Sequence, residues 1–254
     1  GNGEALEAAL ALARQGSPDL LVILGDLLTY GCEPKRVLEQ TAEALGAFPR
    51  VVLIEGNHDQ VYLDRYNDQQ GYYRSLPDWI RESIDWTAHR IDLKAFAEVF
   101  PWCAEFVDGP IYFSHANPFA YRDWTYLNTN EELYRACSVM AARGFRLGVF
   151  GHTHRRLRAE SNAAGALVRH PTPLDELLSL PIASGHWIVN PGSVGQPRSS
   201  ERRSTLAWIA CDQEGNLLVE FKQIFYDVTR AIGAIRGADL SIATRDRLEG
   251  YLRR

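Results

Sequence analysis

Short apolar runs that end abruptly in polar motifs constrain the fold of this chain most. Residues 20–24 and Val51–Ile54 are continuous apolar runs of strand length, typical of strands covered on both faces of a parallel sheet. A helical pattern that opens at Pro34 separates the two runs. This alternation of strand and helix predicts an α/β fold whose functional groups lie at the carboxyl ends of the strands.

The rest of the chain carries further elements of the same kinds. By periodicity and turn signals we expect helices over 4–15, around 93–100 and over 133–140 with Asn130 as N-cap, strands over 110–113, Leu147–Phe150 and 186–190, a hairpin with strands at 206–210 and 217–225, and a helical tail from about residue 229. These elements can be placed in a single domain that spans 1–254.

Residues 62–126 are crowded with aromatic side chains. One interpretation is an insert that packs a small core of its own, since aromatic rings dominate protein cores. The other is that some of the rings form a cap over an active site and stack on the base of a substrate. We expect residues 62–109 to be this insert.

Composition excludes several classes of function. The chain has 27 basic and 32 acidic residues, a net charge of -5, which disfavours a protein that binds a nucleic-acid polymer through bulk charge. No apolar run approaches the ~18 residues of a membrane span, and no signal peptide is visible. The four cysteines are widely spaced, which is typical of reduced, mostly buried thiols. We therefore expect a cytoplasmic protein with neither a membrane nor a nucleic-acid polymer as a partner.

Potential metal ligands follow four of the predicted strands. In chain order they are Asp26, the neighbours Asn57 and His58, then His115, and finally the pair His152 and His154. Taken singly, Asp26 would also suit a helix cap, and His115 would suit a hydrogen-bonded strand end. Two imidazoles one residue apart, just beyond a buried strand, can turn toward one metal centre. Chance rarely places such groups on four successive strand ends, so the pattern predicts a metal site.

This ordered set of motifs resembles the calcineurin-like metallophosphoesterase superfamily, and the resemblance spans nearly the whole chain. Residues 25–31, followed by Pro34, and the loop 190–198 are similar to the branch of YfcE-type and diadenosine-tetraphosphatase-like phosphoesterases. The resemblance implies a four-layer α-β-β-α sandwich with an aromatic-rich helical insert or cap. The family's first motif, Asp-x-His, is normally followed by Gly-Asn, and this chain starts with Gly1 and Asn2. We therefore expect the strand that carries Asp-x-His to precede Gly1.

The resemblance also implies two divalent transition-metal ions bridged by Asp26. Asn57, His115 and His152 would hold one ion, and His154 would belong to the other. Mixed oxygen and nitrogen donors suit manganese, our first choice, as well as iron, zinc and nickel. In this family a hydroxide that bridges the ions attacks phosphorus in line with the leaving group.

Four further residues are candidates for catalysis or substrate binding. By the resemblance, His58 would donate a proton to the leaving alkoxide. Asp59 would orient that imidazole, cap the following segment, or do both. Arg155 lies in a basic run whose usual meaning is a solvated face, although beside a metal cluster it could attract an anion. Arg198 could approach a phosphate or brace its own loop.

The leading hypothesis is a phosphoesterase that acts on a small phosphodiester or phosphomonoester, a nucleotide being one candidate substrate. A dinucleoside polyphosphate hydrolase is the first alternative. A protein Ser/Thr phosphatase ranks lower, because Glu55 stands where those enzymes carry arginine and Asp59 ends the motif. An alternative from another class is a metal-poor scaffold with the same fold. Assembly into a homo-oligomer is left open.

Overall fold

The computed structural model of the protein describes residues 1–162, 164–183 and 185–253, and the chain divides into two compact units. Unit 1 comprises Gly1–Cys103, Val194–Gln196 and Ile224–Arg254. Unit 2 comprises Ala104–Ser193 and Pro197–Gln223. The organisation as one domain with an insert over 62–109 stays a prediction.

Helices and strands alternate along the first part of the chain, and strands dominate the second. The helices are α1 (Gly3–Gly16), α2 (Pro34–Ala47), α3 (Asn57–Tyr66), α4 (Gly71–Arg74), α5 (Asp78–Ala88), α6 (Leu93–Glu98), α7 (Asn130–Ala142), α8 (Val228–Arg236) and α9 (Ile242–Gly250). The strands are β1 (Leu21–Ile23), β2 (Val51–Ile54), β3 (Trp102–Cys103), β4 (Glu105–Asp108), β5 (Ile111–Ser114), β6 (Leu147–Phe150), β7 (Arg156–Asn162), β8 (Leu167–His170), β9 (Leu177–Leu180), β10 (Gly185–Pro191), β11 (Thr205–Cys211) and β12 (Leu217–Gln223).

Unit 1 is built on a parallel sheet of order β1-β2-β3, in which Leu21 lies opposite Val51. The prediction that the first strand is covered on both faces was wrong, since all three residues of β1 are partly exposed. The physical reason is its place at the edge of this three-stranded sheet. The aromatic segment supplies part of the core, because Tyr62 and Phe96 are fully buried against Leu28 and its neighbours. These two rings pack in a core shared with residues that precede the segment, so a core of its own, as the first interpretation had it, is not what holds them.

Unit 2 contains a six-stranded sheet of order β4-β5-β6-β10-β7-β8 and a three-stranded sheet of order β11-β12-β9. Strands β5, β6 and β10 run parallel, so their carboxyl ends lie at the same edge. Helix α7 covers one face of the larger sheet, where Leu133 and Met140 pack with Phe150 and Ile188. This core fixes the strand ends from which the histidines emerge.

Helix α7 begins one residue earlier than the sequence predicted. Thr129 is the N-cap, with its side chain accepting from the Glu132 backbone N–H at 3.2 Å, while Asn130 is already helical. The Glu132 carboxylate accepts in return from the backbone N–H groups of Thr129 at 2.7 Å and Asn128 at 2.8 Å. The pair forms a capping box, which a threonine three residues before a glutamate favours. Asn130 as the cap was therefore wrong.

The cysteines are free thiols, but their burial is uneven. Cys137 is buried, and burial raises its pKa to about 11, so this thiol is unreactive at neutral pH. Cys211 is exposed, which corrects the expectation of mostly buried thiols for that residue. No helix in the described parts of the chain combines the length and apolar character that crossing a membrane needs.

The capping box at α7 should make stability depend on pH. Backbone hydrogen bonds, the largest from Thr129, hold the pKa of Glu132 below its usual value. A lowered folded-state pKa stabilises the protein above the ordinary glutamate pKa, and this stabilisation is lost as pH falls through the lowered value. Glu132→Ala should therefore reduce the free energy of unfolding at pH 7, with the loss shrinking below about pH 4. Urea unfolding at pH 7 and pH 3 measures this, with the exposed neighbour Glu131→Ala as control; an equal loss at both pH values would contradict it.

Candidate metal centre

In unit 1 the loop after β1 and the start of α3 are locked to each other through two carboxylates. The Asp26 carboxylate accepts a hydrogen bond from the backbone N–H of His58 at 2.8 Å. In the opposite direction, the backbone N–H of Asp26 donates to the carboxylate of Asp59 at 2.6 Å. These reciprocal bonds hold the two predicted motifs in one arrangement within the unit.

Asp59 lies fully buried at the third position of α3 and is the centre of this arrangement. Besides Asp26, the backbone N–H groups of Leu27 and Gly56 donate to its carboxylate, each at 3.0 Å. A carboxylate in the first turn also interacts favourably with the helix dipole. The cap interpretation accounts for these contacts, and orientation of His58 by Asp59 stays a prediction.

The side chain of Asn57, the first residue of α3, is held at its amide nitrogen. Its Nδ2 donates to the hydroxyl of Tyr72 in α4 at 2.9 Å. Because one end of the amide is committed as a donor, the oxygen Oδ1 is the end suited to bind a cation. Tyr72 thus orients the amide group of Asn57.

His58 contacts an aromatic hydroxyl. The hydroxyl of Tyr30 lies 2.6 Å from Nε2 of His58, and the two rings meet edge to face with centroids 4.5 Å apart. Tyr30 belongs to the loop after β1, so the same loop that carries Asp26 also contacts the candidate acid. Only 2% of the His58 surface is exposed.

In unit 2 the histidines that follow β5 and β6 come together. The backbone N–H of Gly151 donates to the carbonyl of His115 at 2.8 Å, which joins the two strand ends. Nε2 of His115 then lies 3.1 Å from Nδ1 of His152, and both rings are buried. Two imidazole nitrogens that converge at this distance are suited to share a cation.

The loop that follows β5 braces His152 from the other side. The second ring nitrogen of His152, Nε2, lies 3.0 Å from the carbonyl oxygen of Trp124. A carbonyl in this position fixes the tautomer with the proton on Nε2 and leaves Nδ1 as a ligand atom. Tyr126 stacks on the same imidazole with a centroid distance of 4.0 Å and an interplanar angle of 19°. Asn117 holds the loop, donating to the carbonyls of Asp123 at 2.8 Å and Thr125 at 3.0 Å.

Two residues further on, His154 is buried in the turn that leaves β6. Its carbonyl accepts from the backbone N–H of Arg198 at 3.1 Å, and Nε of Arg155 donates to the carbonyl of Arg198 at 3.2 Å. The two candidate substrate arginines are therefore neighbours, and the contact to Arg198 braces that loop. Asn190, at the end of β10, donates to the carbonyl of Gly151 and to the Thr153 hydroxyl, which fixes the turn between the histidines.

Left-handed backbone conformations are concentrated in these motifs. The φ angles are positive at Asp26, Thr29, Tyr30, His152 and His154, between 57° and 66°. Such conformations cost roughly 1–3 kcal/mol each for residues other than glycine and persist where the surrounding structure imposes them. The strain is consistent with loops shaped for the positions of their side chains.

Several residues that hold the candidate ligands were not predicted from the sequence. They are Tyr30, Tyr72, Trp124 and Asn190. Tyr30 and Asn190 lie within stretches that the resemblance had marked as typical, which was the available signal. Nothing in the sequence distinguishes Tyr72 or the Trp124 carbonyl, because these contacts depend on tertiary structure.

Comparison with known proteins identifies the family. Residues 1–214 match the family model of the calcineurin-like phosphoesterase superfamily domain. The chain belongs to this superfamily. The calcineurin-like family and its α/β fold, both expected from the motifs, are thus confirmed. The narrower likeness to the YfcE-type branch stays a prediction.

Relatives and solved structures extend over nearly the same length. The chain is 25% identical over 239 residues to the uncharacterized protein MJ0912 of Methanocaldococcus jannaschii, a match that covers 91% of this chain and 86% of that protein. A metallophosphoesterase from Sphaerobacter thermophilus has a TM-score of 0.72 and 24% identity, covering 99% of this chain and 95% of that one. A hypothetical protein of Pyrococcus horikoshii, PH1004, also has a TM-score of 0.72, with 19% identity, over 98% of this chain and 93% of that one.

The donor chemistry of the calcineurin-like chain fits the divalent metal ions that its family implies. In unit 2, the donor nitrogens of His115 and His152 lie within 4.8 Å of each other, and the second nitrogen of His152 is hydrogen bonded to a carbonyl. In unit 1, Asp26 offers a carboxylate and Asn57 an amide oxygen whose nitrogen is committed elsewhere. Mixed oxygen and imidazole donors suit manganese, iron, zinc or nickel.

The three amide contacts of Asp59 predict a large loss of stability on its removal. Asp59→Ala leaves buried N–H groups without this acceptor, and each such group costs about 1–3 kcal/mol. We expect a loss of at least about 3 kcal/mol for Asp59→Ala and a smaller loss for Asp59→Asn, which keeps one acceptor oxygen. Chemical denaturation measures both, and the exposed helical variant Glu43→Ala is the control. A loss under about 1 kcal/mol for Asp59→Ala would show that the carboxylate does not hold these loops together.

Proposed function

We propose that the protein is a dinuclear metal-dependent phosphoesterase that hydrolyses a small phosphodiester or phosphomonoester. Membership of the calcineurin-like family implies metal-dependent hydrolysis of phosphoesters. The observation that carries the proposal in this chain is the pair of buried imidazole nitrogens of His115 and His152, 3.1 Å apart, with His152 tied at its other nitrogen. A buried pair of this kind is difficult to explain by packing alone, because an apolar core needs no converging nitrogens.

The metal ligands in this proposal are those predicted from the motifs. Asp26 would bridge the two ions, Asn57, His115 and His152 would complete one site, and His154 would contribute to the other. When bound, such ions neutralise charge on the phosphoryl group and lower the pKa of a coordinated water. Manganese is the first choice for the metal, and the donor set also suits iron, zinc and nickel.

The chain's own residues would then handle the leaving group. His58 is buried, and its backbone N–H is bonded to the carboxylate of Asp26, so the backbone of this residue is held at the proposed bridging ligand. From there it would donate a proton to the departing alkoxide, a contribution of typically 10²–10⁴-fold. Arg155 and Arg198, which contact each other, are the candidates for binding the substrate phosphate.

The experiment that tests the function uses full-length protein loaded with Mn²⁺. We expect hydrolysis of bis-p-nitrophenyl phosphate or p-nitrophenyl phosphate by the wild type. His58→Ala should retain its metal but lose turnover by about 10²–10⁴-fold for esters with poor leaving groups. Elemental analysis of both proteins is the matched control. Inertness of the metal-loaded wild type toward all esters, or purification with well under one transition metal per chain, would favour the metal-poor scaffold instead.

A nucleotide substrate is the second candidate, and Tyr126 is the observation that favours it. This ring stacks on the His152 imidazole while 41% of its surface remains exposed. Asn117 fixes the loop that carries it, so the ring is held in place before any substrate binds. An exposed aromatic ring beside a proposed metal ligand provides a stacking surface for a base. Nucleoside phosphoesters, including dinucleoside polyphosphates, are therefore the substrate class to test first.

Two substrates with the same leaving group separate recognition of a base from hydrolysis. Thymidine 5′-(p-nitrophenyl phosphate) and methyl p-nitrophenyl phosphate differ only in the nucleoside. Stacking on an aromatic ring contributes about 1–3 kcal/mol per base, so Tyr126→Leu should lower the ratio of their kcat/KM values about tenfold. Tyr126→Phe, which keeps the ring, is the matched control. An unchanged ratio in Tyr126→Leu would contradict the nucleotide preference and leave the phosphoesterase proposal intact. The rate of hydrolysis of a dinucleoside tetraphosphate, compared with the rates for these two esters, ranks the substrate classes.

A further inference from the structure

Tyr30 makes a contact with His58 that the proposed reaction does not account for. Its hydroxyl lies 2.6 Å from Nε2 of His58. The edge-to-face ring contact at 4.5 Å adds a second restraint on the same imidazole. A hydroxyl and a ring nitrogen at this distance form a strong hydrogen bond in a site that is largely closed to water.

We propose that Tyr30 is a positioning residue that fixes the orientation of the His58 imidazole. This inference rests on the proposed function, in which His58 is the acid. The hydrogen bond and the edge-to-face contact hold the ring in one orientation. In the acid step the charged imidazole transfers one proton to the leaving oxygen and becomes neutral. One N–H bond breaks and one O–H bond forms, and the imidazole returns to its charged form by taking a proton from water.

The backbone around Tyr30 is built to present this hydroxyl. Thr29 and Tyr30 are consecutive left-handed residues with φ of 66° and 57°, a conformation that is unfavourable for a β-branched residue. The Thr29 hydroxyl is anchored to the hydroxyl of the fully buried Tyr62 at 2.7 Å. This anchor stabilises the strained loop and directs the neighbouring Tyr30 ring toward His58.

Packing alone is the competing explanation, because the Tyr30 ring also lies 6.2 Å from the ring of Trp79. The two explanations differ in which part of the tyrosine matters. A packing role depends on the ring, whereas a positioning role depends on the hydroxyl. Tyr30→Phe keeps the ring and removes only the hydroxyl, and it therefore separates them.

The kinetic experiment compares metal-loaded wild type and Tyr30→Phe across phosphodiesters whose leaving groups range from p-nitrophenoxide to alkoxides. An acid matters most when the leaving group is poor. We expect kcat for alkoxide leaving groups to fall on the order of tenfold with KM within about twofold, and kcat for p-nitrophenoxide to change little. Tyr73→Phe is the matched control, since it removes a hydroxyl that donates to Asp85 at 2.7 Å elsewhere in unit 1. A uniform fall across all leaving groups, or none, would overturn the proposal.

A double-mutant cycle identifies the partner through which Tyr30 acts. In the His58→Ala background, Tyr30→Phe should have no further effect on the alkoxide substrates, because residues that act through one contact are not additive. Full additivity would show that Tyr30 acts elsewhere.

A measurement without substrate provides an independent test. The ¹⁵N chemical shifts of the His58 ring, assigned with His58→Ala, should differ between the wild type and Tyr30→Phe, because the variant loses the hydrogen bond at Nε2. Identical ring shifts in both proteins would reject the positioning role. If the wild type hydrolyses no phosphoester, the proposed function is wrong. If the wild type is active and Tyr30→Phe has the same kinetics and ring shifts, only the role of Tyr30 is wrong.

Discussion

A buried carboxylate that must satisfy several backbone N–H groups determines how half of the candidate site is assembled. Asp59 is fully buried and accepts from the backbone of Asp26, Leu27 and Gly56. Burying an ionised group is costly unless it is fully hydrogen bonded, so the loop after β1 and the start of α3 have little freedom to separate. Asp26 and His58 acquire their relative position from this constraint before any ligand is present.

Much of the fold followed from apolar runs, because burial of a strand leaves a direct trace in the sequence. The bounds predicted for the strands at Val51–Ile54 and Leu147–Phe150 match those observed. Strand β7 was missed, since arginines such as Arg156 and Arg158 alternate with its apolar residues and suggest a solvated face. In the structure Arg158 is partly buried 6.0 Å from the centre of the Trp187 ring, and burial lowers its pKa. A long side chain whose stem packs in this way gives no apolar signal.

The candidate ligands could be predicted from the sequence, but the groups that hydrogen bond to them could not. A ligand such as His152 must follow a strand directly, so its position appears in the local sequence pattern. Its support is the backbone carbonyl of Trp124, which any residue type could supply at that position. The left-handed conformations at His152 and Asp26 leave only a weak trace, because aspartate and histidine are enriched in such backbone but are far less specific for it than glycine.

Amide and imidazole side chains each carry two polar atoms, and in this site one of the two is bonded to a protein group. Asn57 has its nitrogen held by the Tyr72 hydroxyl, His152 has Nε2 held by the Trp124 carbonyl, and His58 has Nε2 next to the Tyr30 hydroxyl. In each case one end is bonded to a protein group, which orients the side chain before a metal or a substrate arrives. For His152 the partner is a carbonyl, which can only accept, so the proton is placed on Nε2. Such preorganisation avoids reorientation during the reaction, which is costly in free energy. Tyr30 and Tyr72 therefore help to position the candidate acid His58 and the candidate ligand Asn57.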